Sequence, residues 1–304
     1  MAHAEQVNMM QPTRTAGWWA AGLLMILAAT GAHARAGQLD VTHQARIVAP
    51  GEVVLLTVTG PAGVADVRAR AFGQTLPGFP GVASGTWHVL LGIDVDAAAG
   101  KYIVEIEART AAGPISVTHP LTVARKQFGQ RKLTVDSKYV TPPANVLPRI
   151  DREQRQLADL LAVASPARQW HGAFAKPVDG APALNFGQRS VFNGQPRGTH
   201  RGADFASPSG APIRAPGAGR VVLAQDLYYS GNTVLIDHGL GLYSLLAHMS
   251  KMTVRVGEAV AAGQVVGLVG ATGRATGPHL HWTLRVGAAA VDPMSLLALA
   301  ALPK

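Results

Sequence analysis

Glycine and proline divide the apolar segments of this chain into short runs, and this spacing constrains the fold more than any other feature. The 304 residues include 34 Gly and 20 Pro. Between them, apolar and polar side chains alternate in runs such as Tyr102–Ile106 and Ile115–Val117. Alternation with a period of two is typical of half-buried β-strands, and frequent Gly and Pro are typical of turns. We therefore expect a mainly all-β protein.

The length of the chain and the changes of pattern along it predict two β domains joined by a linker. Residues 37–128 predict an immunoglobulin-like β-sandwich, because short strands and turns follow one another there. Residues 129–165 form the predicted linker, with a helix over 148–164 where apolar side chains recur at helical spacing. Residues 166–304 predict a second β domain. Its expected strands cover residues 220–224, 232–237, 242–247, 254–256, 265–269 and 280–286.

The first 36 residues predict an export signal. Arg14 precedes an uncharged apolar run of 16 residues, Gly17–Ala32, and the small residues Ala32, Ala34 and Ala36 offer cleavage sites. This run is shorter than the roughly 20 residues that a membrane-spanning helix needs. We therefore expect a periplasmic or secreted protein that has no membrane anchor after the signal is cleaved.

The chain has no cysteine, and its formal net charge is +9. Disulfide bonds and thiolate metal sites are therefore excluded, which leaves His, Asp and Glu as candidate metal ligands. The positive charge would attract anionic polymers of a cell envelope, and nucleic acid equally. Because no basic stripe with interleaved aromatic residues is present, we do not expect nucleic acid as a partner.

Residues that could hold a metal gather in the second domain. His200 and Asp204 are four positions apart, and Gly202 between them permits a turn. His279 and His281 begin a predicted strand, and residues i and i+2 of a strand point to the same face. Both imidazoles should therefore face one site.

His248 follows the predicted strand 242–247 and could join the same site. Catalytic zinc sites use three protein ligands and keep a further position open, and two histidines with one carboxylate meet this need. Further imidazoles could move protons and stabilise an oxyanion. Each signal is weak alone, because an isolated His is more often structural. Their concentration in a cysteine-free chain points to hydrolytic metal chemistry.

Four segments around these residues resemble the lysostaphin-type zinc metallopeptidases. The segments lie within about Phe174–Pro293 and are Thr199–Gly210, Ala215–Val222, Ile236–Gly239 and Gly270–Trp282. The resemblance implies an antiparallel β core with a groove whose floor holds the metal. It also implies one Zn²⁺ per chain bound by His200, Asp204 and His281, with His248 and His279 in catalysis. Leu246 stands where the family has a Tyr, and we expect this difference to alter the lining of the groove.

The same resemblance implies a zinc metallo-endopeptidase that hydrolyses peptide cross-links of bacterial peptidoglycan, with stem or cross-bridge peptides as its partners. The alternative is an inactive relative that only binds peptidoglycan or activates another hydrolase. Such a relative is expected to lack one or more of the five site residues, and all five are present here. Residues 37–165 contain no comparable cluster, so we expect a fragment that starts near Ser165 to retain activity.

Overall fold

The computed structural model describes residues 38–299, so the predicted export signal over residues 1–36 lies outside the described residues. Strands dominate this part of the chain, as the sequence predicts. Across residues 38–299, no helix is both long and apolar enough to cross a membrane. The described residues belong to one compact unit, so the predicted boundaries between sandwich, linker and second β domain stay predictions.

Eight strands form the N-terminal region: β1 (Asp40–Gln44), β2 (Val53–Thr59), β3 (Asp66–Ala71), β4 (Gln74–Pro77), β5 (Phe79–Pro80), β6 (Thr86–Gly92), β7 (Gly100–Thr110) and β8 (Gly113–Val123). They make two antiparallel four-stranded sheets, with the orders β1-β2-β6-β5 and β4-β3-β7-β8. One core contains alternate residues of both sheets, among them Val54, Leu56, Ala69 and Ile106. The β-sandwich is therefore present, while its immunoglobulin-like character stays a prediction.

Strand β2 is buried on both faces. Val54 and Leu56 contact the sandwich core, whereas Val53 and Leu55 belong to the core of the C-terminal region. Successive side chains of a strand point to opposite faces, so an uninterrupted apolar run is expected where both faces are covered. The sheet that contains β2 thus joins the sandwich to the rest of the molecule.

Residues 130–162 connect the two regions through a strand and a helix. Strand β9 (Gln130–Leu133) pairs in parallel with β10 (Arg189–Phe192) of the C-terminal region. Helix α1 (Leu147–Ala162) matches the predicted range 148–164 to within two residues, and it ends at the extended residue Val163. Three of its leucines pack on a small apolar cluster of the C-terminal sheet, formed by Leu223, Leu227, Leu235 and Tyr243.

The C-terminal region carries the candidate site on an antiparallel sheet. Strand β11 (Gln195–Thr199) pairs with β10, and nine strands follow: β12 (Ala203–Ala206), β13 (Pro212–Arg214), β14 (Gly219–Leu227), β15 (Gly231–Gly239), β16 (Leu242–Met252), β17 (Ala259–Val260), β18 (Val265–Val269), β19 (His279–Val286) and β20 (Ala289–Val291). Their main order is β12-β19-β16-β15-β14-β17, with β18 beside β13 and β16, and β20 beside β19. A short helix, α2 (Pro293–Leu297), follows β20.

One predicted strand, over residues 254–256, is wrong. The alternation of valines with Arg255 imitates a strand, but the chain turns at Gly257, whose φ is 88°. The backbone N–H of Glu258 closes this turn on the carbonyl of Arg255 at 3.2 Å. Val256 is 61% exposed, whereas Val254 packs against the C-terminal core, so the two valines do not share a buried face.

Candidate active site

Two antiparallel neighbours, β12 and β19, bring Asp204 and His281 face to face. The register pairs the two residues directly, and the carboxylate Oδ1 of Asp204 lies 2.7 Å from His281 Nδ1. His200 lies in the loop between β11 and β12. Its Nε2 is 3.1 Å from Asp204 Oδ1 and 3.0 Å from His281 Nδ1. The three residues that the resemblance names as metal ligands therefore lie together as one group.

Gly202 is required at this point because space is short. A Cβ on Gly202 would lie 2.7 Å from two ring atoms of His281 and from the carbonyl oxygen of Trp282. Contacts below 3.0 Å are essentially never made by real Cβ atoms. The turn expected between His200 and Asp204 is thus not the main reason for the glycine; the ring of His281 fills the volume that a side chain would need.

The imidazoles of His200 and His281 each present one nitrogen to the group, because the other nitrogen has a partner. His200 Nδ1 lies 3.0 Å from the carbonyl oxygen of Asn185. A carbonyl can only accept, so His200 carries its proton on Nδ1 and offers a lone pair at Nε2. His281 Nε2 lies 2.9 Å from the hydroxyl of Thr283, which can accept a hydrogen bond from a proton on Nε2. The lone pair of His281 is then on Nδ1, where a metal ion can bind it.

The second carboxylate oxygen of Asp204 is occupied on the far side of the group. Arg131 Nη1 and Asn185 Nδ2 donate to Oδ2 at 3.0 and 2.8 Å. Burial raises the pKa of Asp204, but the adjacent imidazoles of His200 and His281 lower it by more, so the pKa ends well below its ordinary value. The carboxylate is therefore charged at neutral pH, and Oδ1 faces the two imidazole nitrogens.

This donor set fits a transition-metal ion. One ligand atom from each of His200, Asp204 and His281 lies within 4.8 Å of the other two. Zinc bonds to nitrogen and oxygen are about 2.0–2.2 Å long, which puts the ligand atoms around one ion roughly 3–3.5 Å apart. The contacts of 2.7–3.1 Å between the donor atoms are close to this spacing. Two imidazole nitrogens and one carboxylate oxygen are a donor set that zinc accepts.

His248 reaches the group through an irregularity in β16. The sequence predicts a strand that ends at residue 247, whereas β16 continues to Met252. The φ of His248 is 65°, a left-handed conformation that is uncommon for residues other than glycine. The register with β15 shifts across this position, and such bulges redirect side chains next to active sites. The backbone is thus distorted where the side chain turns toward Asp204 and His281.

The ring of His248 is fixed and neutral. Its Nδ1 lies 2.8 Å from the carbonyl oxygen of Thr272, so Nδ1 carries the proton and Nε2 the lone pair. Burial is the main cause that lowers the pKa of His248 to about 3, with smaller contributions from His281 and His279. At neutral pH the ring is therefore unprotonated at Nε2.

His279 lies beside the group on the same face of β19 as His281. Leu280 between them is fully buried in the core, which confirms the predicted alternation. His279 Nδ1 is 2.8 Å from the carbonyl oxygen of Gly277, and Nε2 is 3.9 Å from Asp204 Oδ1. The ring centroids of His279 and His248 are 4.8 Å apart. Two further imidazoles therefore lie next to the three candidate ligands.

A groove passes these five residues, and both the C-terminal region and the linker line it. Phe192, Tyr229 and Arg274 come from the C-terminal region, and Leu133 and Val135 come from the linker. The linker is held by Asn193, whose side chain bonds the N–H and the carbonyl of Val135 at 3.0 and 2.9 Å. One wall of the groove thus lies outside the predicted catalytic domain of residues 166–304.

The expectation that Leu246 alters the lining of the groove is wrong. Leu246 is fully buried and belongs to the core of the C-terminal region. It lies on β16 opposite Val234 and Trp282, and β16 bends only afterwards, at His248. Its side chain therefore packs under the sheet and does not reach the groove.

Three residues that shape the site could not be identified from the sequence. Arg131 is 73 positions from Asp204, and Asn185 is 15 positions before His200, so no local spacing connects them to the group. Arg274 lies inside the recognised segment Gly270–Trp282, but nothing in the sequence separates its role from that of its neighbours. The signal that could have found Arg131 is its position in a basic strand at the start of the linker.

Comparison with known proteins identifies relatives of this region. Residues 198–293 match the model of Peptidase family M23. A stretch of 95 residues is 45% identical to the peptidoglycan DD-endopeptidase ShyA of Vibrio cholerae, covering 31% of this chain and 22% of that protein. A stretch of 97 residues is 41% identical to the DD-carboxypeptidase/endopeptidase Mpg of Neisseria meningitidis, covering 32% and 22%. The matched region thus spans about a fifth of the length of these curated relatives.

One solved structure is similar over most of the chain. It is a crystal structure from Pseudomonas aeruginosa assigned to peptidase M23, and its sequence is 32% identical to this chain. The alignment covers 83% of this chain and 96% of that one, with a TM-score of 0.65. The similarity therefore extends beyond residues 198–293, into the N-terminal region.

Proposed function

We propose that this chain, which belongs to Peptidase family M23, is a zinc metallo-endopeptidase that hydrolyses peptide cross-links of bacterial peptidoglycan. The observation that carries the proposal is the convergence of donor atoms from His200, Asp204 and His281, each residue being held by a partner on its far side. Two relatives that are 45% and 41% identical over the matched region bear endopeptidase names, one of them naming peptidoglycan. The same argument favours a location in the periplasm or outside the cell.

In this proposal His200 Nε2, Asp204 Oδ1 and His281 Nδ1 would hold the ion. When bound, zinc supplies a Lewis acid that polarises the scissile carbonyl and makes water more acidic. The partners of the ligands keep this geometry ready. Asn185 fixes His200 and also donates to Asp204, and Thr283 accepts from His281. Such partners orient ligands and tune their basicity.

His248 and His279 would move the proton and stabilise the oxyanion. Each ring binds a backbone carbonyl through Nδ1, which leaves the lone pair on Nε2. Either Nε2 can accept the proton of the attacking water, and the protonated ring can then donate to the oxyanion or to the leaving amine. The neutral state of His248 at pH 7 suits the first of these steps.

The alternative is an inactive relative that binds peptidoglycan or activates another hydrolase. Digestion of purified peptidoglycan, with and without a chelator, decides between the two. We expect cross-linked fragments to be converted into single-stem fragments, identified by mass, and the chelator to abolish this conversion until zinc is restored. Binding to peptidoglycan without any new fragment from the zinc-loaded protein would establish the alternative.

A further inference from the structure

A guanidinium group lies in the groove with no anionic partner. The Cζ atom of Arg274 lies 4.7 Å from the ring centroid of Phe192 and 4.7 Å from that of Tyr229. Among residues 38–299, no hydrogen bond or ion pair to this guanidinium is seen. The two aromatic rings thus hold the group, but no carboxylate neutralises it.

The two other arginines near Arg274, Arg131 and Arg197, have hydrogen-bond partners for their guanidinium groups. Arg131 is paired with Asp204 at 3.0 Å, and Arg197 donates to the carbonyl of Val140 and to the side chain of Gln195. Burial is the main cause that lowers the pKa of Arg274, and the positive charges of Arg131 and Arg197 lower it further. A partly buried cation next to other cations is unfavourable unless an anion joins it. Among residues 38–299, Arg274 is therefore the one of these three arginines whose guanidinium has neither a hydrogen bond nor an ion pair.

We propose that Arg274 binds a carboxylate of the substrate next to the scissile amide, so that the enzyme prefers cross-link peptides in which this carboxylate is free. This inference rests on the proposed function. In a bond between two amino-acid centres, the centre that supplies the amine keeps its own carboxyl group. A guanidinium donates two parallel hydrogen bonds to a carboxylate. Phe192 and Tyr229 stack on Arg274 and restrict its side chain, which reduces the entropy lost on binding.

The test uses two synthetic cross-link peptides that differ in one group. In both, D-alanine is joined to the amine of one centre of diaminopimelate, and the carboxyl of that same centre is either free or amidated. We expect the zinc-loaded protein to hydrolyse the free acid with a kcat/KM about tenfold to a hundredfold higher, as for a hydrogen bond to a charged group. Arg274→Gln should lose this preference because its kcat/KM falls for the free-acid peptide and not for the amidated peptide. Arg274→Lys should keep part of the preference. Arg255→Gln, at an exposed arginine in another loop, is the matched control.

Calorimetric titration of the protein with each peptide measures binding affinity, which does not depend on turnover. If the unaltered protein binds and hydrolyses both peptides equally well, the inference is wrong. It is also wrong if Arg274→Gln retains the preference, because the carboxylate would then contact another group. An equal fall in kcat/KM for both peptides in Arg274→Gln would contradict it as well. Absence of hydrolysis with both peptides contradicts the proposed function instead, and the binding preference still tests Arg274. If the variants do not fold, the preference of the unaltered protein decides.

Discussion

Hydrogen bonds to backbone carbonyls decide what each imidazole of the site can do. Three of the four rings bind a carbonyl through Nδ1, and His281 is the exception because its Nε2 bonds Thr283. The H-x-H alternation on β19 is visible in the sequence, and the structure confirms it. The carbonyl of Thr272 and the left-handed backbone of His248 are not visible, because they depend on how loops fold around β16.

Replacement of His248 or His279 by Ala should separate catalysis from metal binding. We expect both variants to keep zinc and the fold but to lose about 10²–10⁴-fold in kcat, as is usual for a general acid or base. Zinc content and initial rates measured on the same samples check this. The exposed His171 gives a matched control in His171→Ala, which should behave like the unaltered protein. Near-normal rates, or zinc lost together with the ring, would mean that these roles are misassigned.

His238 is a buried histidine whose contribution is to stability. Trp282 Nε1 donates to the Ser244 hydroxyl, the hydroxyl donates to His238 Nε2, and His238 Nδ1 donates to the carbonyl of Ala218. Burial lowers the pKa of His238 to about 4 in the folded protein. The unfolded chain therefore binds a proton more readily, so this stability is present above pH 6.5 and is lost as the pH falls toward 4.

Between pH 7.5 and pH 5 this difference in pKa corresponds to a loss of about 2 kcal/mol in the free energy of unfolding. Urea unfolding of the zinc-loaded protein at the two pH values measures it. In His238→Gln the pH dependence should shrink by about this amount, although the variant is less stable throughout. An equal pH dependence in both proteins would show that His238 does not titrate as described.

At the scale of elements, the alternating strands can be predicted from the sequence, but the contacts between distant elements cannot. The pattern predicts β7, β8 and β19, because period-two alternation and flanking Gly and Pro report local structure. It does not predict that β9 pairs with β10, or that Val53 and Leu55 pack on the C-terminal core. Both are contacts between residues far apart in sequence, which no local pattern encodes.

These contacts change what we expect of a fragment that starts at Ser165. Such a fragment loses β9 with Arg131, the leucines of α1, and apolar partners such as Val53 and Phe79. Each buried aliphatic or aromatic side chain contributes about 1.5–3 kcal/mol. We therefore expect the fragment to unfold at much lower urea concentration than a chain that starts at residue 38, and to bind zinc poorly. A fragment with the stability and activity of the longer chain would show that the N-terminal region and linker are dispensable.

At the scale of the whole molecule, the N-terminal region packs against the core of the C-terminal region, and the linker lines the groove. The sandwich covers one side of the C-terminal core through β2 and β6, and the linker adds Leu133, Val135 and Arg131 to the groove. The similarity to the Pseudomonas aeruginosa structure extends over 83% of the chain, which agrees with a molecule that has kept this arrangement as a whole. A ligand of the groove must therefore contact walls formed by the linker and the C-terminal region.

Zinc content measured together with cross-link hydrolysis, on the same samples of the unaltered protein, His281→Ala and His171→Ala, tests the central claim most directly. Circular dichroism should show that all three are folded. The account predicts one zinc ion per chain and hydrolysis in the unaltered protein and in His171→Ala. In His281→Ala, both zinc and hydrolysis should be lost after dialysis. A His281→Ala protein that keeps its full zinc content, or a zinc-free protein that hydrolyses cross-links at the normal rate, would contradict the account.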